Sequence, residues 1–411
     1  MKFSLIKKFI LPFIALTCSM VTAQKADNIA LTPPMGWNSW NCFSTRIDEE
    51  KIKTMAEAMV SSGMKDAGYE YIIIDEGWMT KERDNEGRII VDSTKFPGGM
   101  KALADYVHSL GLKFGLYSAP GRYTCDKNMG SYGYELIDAM TYASWGVDFL
   151  KYDWCNYPNT SKEAAVTPEE DCRAAFELMR DCLNKTGRPV VYSVHAKCRD
   201  MGYENALPWV KSVAHMWRTS NDIKNDWNRM LWCLESTADL WEYAGPGYWN
   251  DPDMLEVGNE NKEFLWGELK KSVKMNLTEY RSHFSMWCMV AAPLIAGNDL
   301  RSMTPEIREI LTNKELIDIN QDAAGKQGRR IRKEGDLEVW VKDLSGKRKA
   351  VTLLNRSSQH ADIKVDWEEI GFKGRLKVRD LWLHKDLGRF NKSYRAEDIP
   401  GHGVMVLLVQ K

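Results

Sequence analysis

The sequence has no long basic run, and its 56 lysines and arginines are balanced by 57 aspartates and glutamates. Neither nucleic acid nor an anionic membrane is therefore expected as a partner. Its nine cysteines show no C-x-x-C spacing, which argues against a zinc site, and no metal or organic cofactor is expected. Beyond the N-terminal segment no stretch is long and apolar enough to span a bilayer. There is no low-complexity segment, and no internal repeat beyond an alternation of strand-like and helix-like stretches. Nothing in the pattern sets an oligomeric state. What is abundant is apolar sequence, 44% of 411 residues, with sixteen Trp and sixteen Tyr. That is ample for a sizeable core in one or two domains, and flat aromatic faces also pack well against sugar rings.

Residues Met1 to Ala23 carry Lys2, Lys7 and Lys8, an apolar run from Phe9 to Leu16, and the small-residue pattern Val21-Thr22-Ala23. This reads as a signal peptide over residues 1–23. Cys18 as a lipoprotein site fits poorly after Ala15-Leu16-Thr17, so cleavage after Ala23 and export to the periplasm or beyond are expected. Eight cysteines remain after cleavage, and an oxidising compartment should pair some of them. Short apolar strands are expected at Pro34 to Trp37, Tyr69 to Ile74, Lys113 to Tyr117, Val147 to Tyr152, Pro189 to Val194, His215 to Thr219, Gly247 to Asn250 and Pro293 to Ala296. Helical spacing runs through Asp48 to Gly63, Met100 to Leu110, Tyr134 to Ser144, Pro168 to Lys185 and Glu263 to Met289. Eight strand–helix units over residues 24–322 predict a (β/α)8 TIM barrel, with catalytic groups at the C-terminal ends of the strands. From Ile331 the pattern changes to strands at Leu337 to Val341, Lys349 to Leu354, Ala361 to Val365, Leu376 to Asp380 and Val404 to Val409, which predicts a small antiparallel β domain over residues 323–411.

Polar residues gather at the expected strand ends: Trp37 and Trp40; Asp75, Glu76 and Trp78; Tyr117; Lys151, Asp153 and Cys155; His195; Arg218 and Asp222; Asp253 and Met254. Several carboxylates with aromatics and no metal-ligand cluster are what glycoside hydrolysis requires. One carboxylate must be ionised to attack the anomeric carbon, and another must carry a proton for the leaving oxygen. Asp153 suits the first role, because Lys151 lies two residues before it on the same strand face. Asp222 suits the second, since burial or a carboxylate neighbour would raise its proton affinity while Arg218 would lower it, a balance the sequence leaves open. Trp37 and Trp78 read as core, Trp40 as a sugar platform.

Pro34-Met35-Gly36-Trp37-Asn38-Ser39-Trp40, Lys151-Tyr152-Asp153-Trp154-Cys155, Trp217-Arg218-x3-Asp222, Trp249-Asn250-Asp251-Pro252-Asp253-Met254 and Ala291-Ala292-Pro293-Leu294 together resemble the α-galactosidases (melibiases) of glycoside hydrolase family 27. Asn320-Gln321-Asp322 and Gly325-Lys326-Gln327 agree, and the match keeps its order and spacing over essentially the whole mature chain. The resemblance implies a (β/α)8 barrel followed by a C-terminal antiparallel β-sandwich. It implies a retaining exo-hydrolase that releases terminal α-D-galactose from oligo- or polysaccharides through a glycosyl-enzyme intermediate. By motif position Asp153 would be the nucleophile and Asp222 the acid/base. Trp40, Asp75, Tyr117, Lys151, Cys155, Arg218 and Asp253 would line the sugar pocket, with Cys125 and Cys155 matching a barrel disulfide of the family.

Two departures bear on substrate. Where the family usually shows Asp-Asp-Cys-Trp, this chain has Asp75-Glu76-Gly77-Trp78, so Cys42 lacks the family's partner at Gly77. Glu76 is one methylene longer than the aspartate that meets the galactose hydroxymethyl group, which raises β-L-arabinopyranosidase activity as an alternative. After the fifth strand, Val194-His195-Ala196 replaces the family's Cys-Glu-Trp. His195 either binds the sugar, as that glutamate does, or belongs to a remade loop through Cys198 and Arg199. Cys42, Cys172, Cys182, Cys198, Cys233 and Cys288 have no assignable partners, and a bond between Cys172 and Cys182 is disfavoured by about 15 Å of helical rise. The Asn276-Leu277-Thr278 triplet matches a glycosylation sequon and is assigned nothing. A catalytically silent exported sugar-binding protein is the alternative from another class; the presence of both carboxylates with Lys151 and Arg218 argues against it.

Overall fold

The structure is a computed structural model, and it describes residues 25–158, 166–197, 202–260 and 274–411. The expected signal peptide, Cys198 and Arg199 lie outside these residues. Eight parallel strands form one sheet: β1 (Met35–Asn38), β2 (Tyr71–Ile74), β3 (Lys113–Ser118), β4 (Phe149–Asp153), β5 (Val191–His195), β6 (Met216–Arg218), β7 (Trp249–Asp251) and β8 (Leu294–Ala296). Each is followed by a helix: α1 (Glu49–Ser61), α2 (Gly99–Ser109), α3 (Glu135–Trp145), α4 (Pro168–Lys185), α5 (Leu207–Val213), α6 (Trp227–Ala238), α7 (Leu277–Met289) and α8 (Pro305–Leu311), with α9 (Lys314–Asn320) closing the series. The sheet order is β8-β1-β2-β3-β4-β5-β6-β7. A parallel bridge between Leu255 and Ala296 spans the remaining gap between β7 and β8, completing the barrel.

Local chemistry explains the helix starts. Asp48 accepts from the Lys51 N–H ahead of α1, and Thr167 and Glu170 form a capping box with Pro168 at the start of α4. Asn276, the sequon residue, caps α7 in the same way with Glu279. Period-two alternation then sorts the strands. On β2, Tyr71 and Ile73 fill the barrel interior while Ile72 and Ile74 pack under the helices. Phe149 on β4, Val191 on β5, Met216 on β6 and Trp249 on β7 share that interior cluster. Space there is tight: a Cβ on Gly115 would sit 2.8 Å from Ile73 and 3.1 Å from Phe149.

The eight barrel strands begin and end within two residues of expectation, with one consequence. Val147 to Tyr152 was the expected fourth strand, whereas β4 is Phe149–Asp153, so Asp153 is the last strand residue rather than the first loop residue. The C-terminal domain holds β9 (Arg329–Glu334), β10 (Leu337–Leu344), β11 (Arg348–Asn355), β12 (Ala361–Asp366), β13 (Arg375–Asp380), β14 (Lys385–Asn391), β15 (Ser393–Ile399) and β16 (Val404–Gln410). They form a six-stranded antiparallel sheet, β9-β10-β11-β16-β13-β14, facing the β12–β15 pair. Three of these strands, β9, β14 and β15, were not expected. Part of the expected helix from Glu263 to Met289 lies outside the described residues, and the rest is α7. No helix among the described residues is long and apolar enough to cross a membrane.

Candidate active site

The alternation that buries Phe149 points Lys151 and Asp153 the same way, one and two steps nearer the C-terminal end of β4. Register brings in their neighbours: Tyr117 pairs with Lys151, Asp153 with His195, and Arg218 with Asp251. An apolar barrel floor thus gives way to a polar layer at the end where such barrels carry their chemistry.

Within that layer positive and negative groups alternate. Lys151 Nζ donates to Asp75 Oδ2 at 2.7 Å. Asn38 Nδ2 donates to the same oxygen at 2.8 Å, while its Oδ1 accepts from the Trp40 N–H, also at 2.8 Å. Asn38 therefore ties the half-buried Trp40 to the Asp75–Lys151 pair. The Tyr117 hydroxyl lies 3.5 Å from Asp153 Oδ2 and 3.5 Å from Cys155 Sγ. Cys155 is bonded to Cys125, so its sulfur links two site loops. Among the described residues, Cys125, Asp153 and Cys155 hold potential metal-ligand atoms within 4.8 Å of one another, but both sulfurs belong to the disulfide. His195 Nδ1 is 2.9 Å from Asp153 Oδ1. Burial pushes the Asp153 carboxyl up, but His195, then Lys151 and Arg218, outweigh it and hold Asp153 well below the ordinary carboxylate value.

Arg218, on β6, organises the part of the rim beyond β5. It reaches Asp222 Oδ1 at 3.1 Å and Asp253 Oδ2 at 3.0 Å. The latter oxygen also accepts from the Ile223 N–H at 2.7 Å, fixing the loop that carries Asp222. Asp253 has φ +94°, a conformation costly for a non-glycine residue. It is pinned on both sides, its N–H donating to Asp251 Oδ1 at 2.9 Å and its carbonyl accepting from Trp287 Nε1 at 2.7 Å. The Asp222 side chain is 73% exposed. Partial desolvation raises its carboxyl, and Arg218 and then His195 lower it further, leaving it below the ordinary value in the open pocket. Arg218 wins the contest left open by the sequence.

Glu76 is the member that turns away. Its N–H donates to Asp75 Oδ1 at 2.9 Å, but its Oε1 accepts from the Thr124 hydroxyl and, at 2.8 Å, from the Asp126 N–H. The additional methylene carries the carboxylate to the loop after β3. Trp37 and Trp78 are fully buried. Cys42, Cys182, Cys233 and Cys288 are buried free thiols, whereas Cys172, which the sequence left without an assignable partner, is disulfide-bonded. Gly77 has φ +108° with Thr45 3.0 Å from a Cβ placed there, so this backbone disfavours the family's cysteine. Sequence reasoning passed over Asn38 as a site residue, although it stands at a strand end two residues before Trp40. It also passed over Tyr203 and Asn221, whose hydroxyl-to-amide bond of 2.9 Å has no sequence signature.

A family model described as "Alpha galactosidase A" matches residues 32–322, and one described as "Alpha galactosidase C-terminal beta sandwich domain" matches residues 334–409. "Alpha-galactosidase A" of Cellvibrio japonicus (strain Ueda107) is 43% identical over 407 residues, which cover 94% of each chain. The solved structure of α-galactosidase I from Mortierella vinacea superposes with a TM-score of 0.83 at 35% identity, over 94% of this chain and 99% of its own. A β-L-arabinopyranosidase from Geobacillus stearothermophilus gives 0.80 at 26% identity, over 93% and 97%. The arabinopyranosidase alternative is the less supported of the two. With both family models, a near-full-length relative and the barrel-and-sandwich fold in agreement, the chain belongs to the α-galactosidases (melibiases) of glycoside hydrolase family 27.

Proposed function

We propose that this α-galactosidase is a retaining exo-enzyme in which Asp153 is the nucleophile and Asp222 the acid/base. It removes terminal α-D-galactose from oligo- or polysaccharides after export from the cytoplasm. The observation that carries the reading is the asymmetry of the two carboxylates. Asp153 sits at the end of β4 with His195, Lys151 and Arg218 favouring its charged form, as attack on an anomeric carbon demands. Asp222 stands exposed on the loop after β6, where a leaving oxygen and then a water can reach it. A bound sugar excludes solvent from Asp222 while the charge on Asp153 opposes its ionisation, and both effects raise its proton affinity for the first step. Once Asp153 becomes an ester its charge is gone, Asp222 loses the proton more readily, and it serves as the base for water. Export is supported by the charged and apolar pattern of residues 1–23 and by a disulfide suited to an oxidising compartment.

The test is azide rescue with p-nitrophenyl α-D-galactopyranoside. Asp153→Gly should lose nearly all hydrolysis and give β-galactosyl azide when azide replaces the missing nucleophile. Asp222→Gly should form the glycosyl-enzyme from this activated substrate and give α-galactosyl azide. Undiminished hydrolysis by Asp153→Gly, or the opposite pair of azide anomers, would refute the assignment.

A further inference from the structure

His195 arrives beside Asp153 by register, because β5 turns Val191, Ser193 and His195 toward the barrel axis in step with Phe149, Lys151 and Asp153 on β4. Its two ring nitrogens face different partners. Nδ1 is 2.9 Å from Asp153 Oδ1, and Nε2 is 2.7 Å from the Tyr203 hydroxyl. The imidazole and the Tyr203 ring lie parallel, 4° apart in plane with centroids 5.6 Å apart. Tyr203 starts the short helical turn Tyr203–Ala206; its hydroxyl donates to Asn221 Oδ1 at 2.9 Å, and Lys197 Nζ donates to the same oxygen at 2.8 Å. Asn221 immediately precedes Asp222. A chain of close polar contacts thus runs from one catalytic carboxylate to the neighbour of the other: Nε2 of His195 is hydrogen-bonded to Tyr203, and Nδ1 is in ion-pair contact with Asp153 outside hydrogen-bond geometry.

The hydroxyl proton of Tyr203 has two acceptors within reach, His195 Nε2 and Asn221 Oδ1. Either direction leaves the imidazole plane where it is, since only one O–H has to turn. Asp153 needs such a fixed neighbour. A carboxylate that attacks carbon must hold one oxygen on the line of approach, and its other contact, the Tyr117 hydroxyl on Oδ2, is long at 3.5 Å.

We propose that His195 is a positioning residue for the Asp153 carboxylate, held in one ring orientation by Tyr203 and Asn221, and that it acts through Asp153 rather than by binding the sugar at C2. The proposal rests on the reading of Asp153 as nucleophile. It predicts that the imidazole works through Nδ1, and that substituents at C2 are indifferent to its removal.

The test compares wild type, His195→Asn, His195→Gln and Tyr203→Phe on p-nitrophenyl α-D-galactopyranoside and its 2-deoxy analogue. The Asn amide nitrogen overlays Nδ1 of histidine, and the Gln amide nitrogen overlays Nε2. Misplacing the nucleophile should cost His195→Gln about 100-fold in kcat with little change in KM. His195→Asn should recover about tenfold of that loss, and Tyr203→Phe should lose about tenfold. Each loss should be equal on the two substrates. Losses that disappear on the 2-deoxy substrate would put His195 on the sugar and overturn the proposal. So would a Gln variant better than the Asn variant, or kinetics unchanged in all three. Tyr203→Phe keeps the ring stack and removes one oxygen, so it reports even where a His195 variant folds poorly. The azide experiment reads the identity of the nucleophile separately: anomers as expected there with losses that depend on the 2-hydroxyl here would leave Asp153 in place and remove only the role given to His195.

Discussion

Glu76 shows how a single methylene is used at the residue scale. The longer side chain reaches Thr124 and Asp126 in the loop after β3, and burial pushes its carboxyl up to about 7 in spite of those donors. The sign follows from linkage. The folded-state value lies above the ordinary 4.5, so the folded protein holds this proton more tightly. The resulting stabilisation is complete below pH 4.5 and is lost as pH rises to about 7. Glu76→Gln keeps the length and an acceptor oxygen without the ionisation, so it should remove part of the fall in melting temperature across that window. A pH series of thermal melts in which wild type and variant run parallel would contradict this. The Lys151–Asp153 pair was legible in the sequence because its spacing of two places both side chains on one strand face. Asn38, Tyr203 and Asn221 were not, because they act on groups brought close only by folding, Asn38 on Asp75 37 positions away and Tyr203 on Asn221 18 positions away.

At the scale of elements, strands were readable where one face is buried and the other is not. The three strands missed in the C-terminal domain mark the limit. β9 and β14 lie at the two edges of the six-stranded sheet and carry no fully buried residue, while β15 belongs to a two-stranded sheet with little burial. Edge strands that face solvent need no hydrophobic alternation, and polar or charged edges discourage pairing with other chains. The loops at the site are joined by a covalent element instead. Cys125 and Cys155 close 30 positions of chain between the β3 and β4 loops, and Tyr117 touches both Cys155 and Asp153. Closing a loop of this size is worth about 3 to 4 kcal/mol in the chain-entropy account. Cys125→Ser should therefore lower the denaturation midpoint by a readily measured amount and reduce kcat, since the β4 loop beside Asp153 is released. Equal denaturation curves for the two proteins would show that the bridge constrains nothing.

Over the whole molecule, one strand of the β-sandwich has two loyalties. On β10, Val339 and Val341 enter the sandwich core, while Trp340 joins the barrel's core cluster. Glu338 and Lys342 share the Trp340 face. Glu338 is met by Arg330 and Arg356 at 2.9 and 2.7 Å. Lys342 is buried with its Nζ 3.3 Å from the Cys288 carbonyl on α7, and burial pulls it down to about 7. Its unfolded value is near 10.5, so between these values the unfolded chain holds the proton and the folded chain does not. Stability from this site therefore rises with pH from about 7 to 10.5. Lys342→Met should melt higher than wild type at pH 7, with the difference shrinking toward pH 10; a difference independent of pH would refute the assignment. Local pattern was sufficient for the eight strand–helix units, the change to a β domain and the carboxylates at strand ends, because periodicity and strand-end position are properties of neighbouring residues. Closure of the barrel through Leu255, the turn of Glu76 into its loop, the contact of His195 with Asp153 and the face of β10 that meets α7 were settled by register and packing, since each joins residues that the chain itself keeps apart.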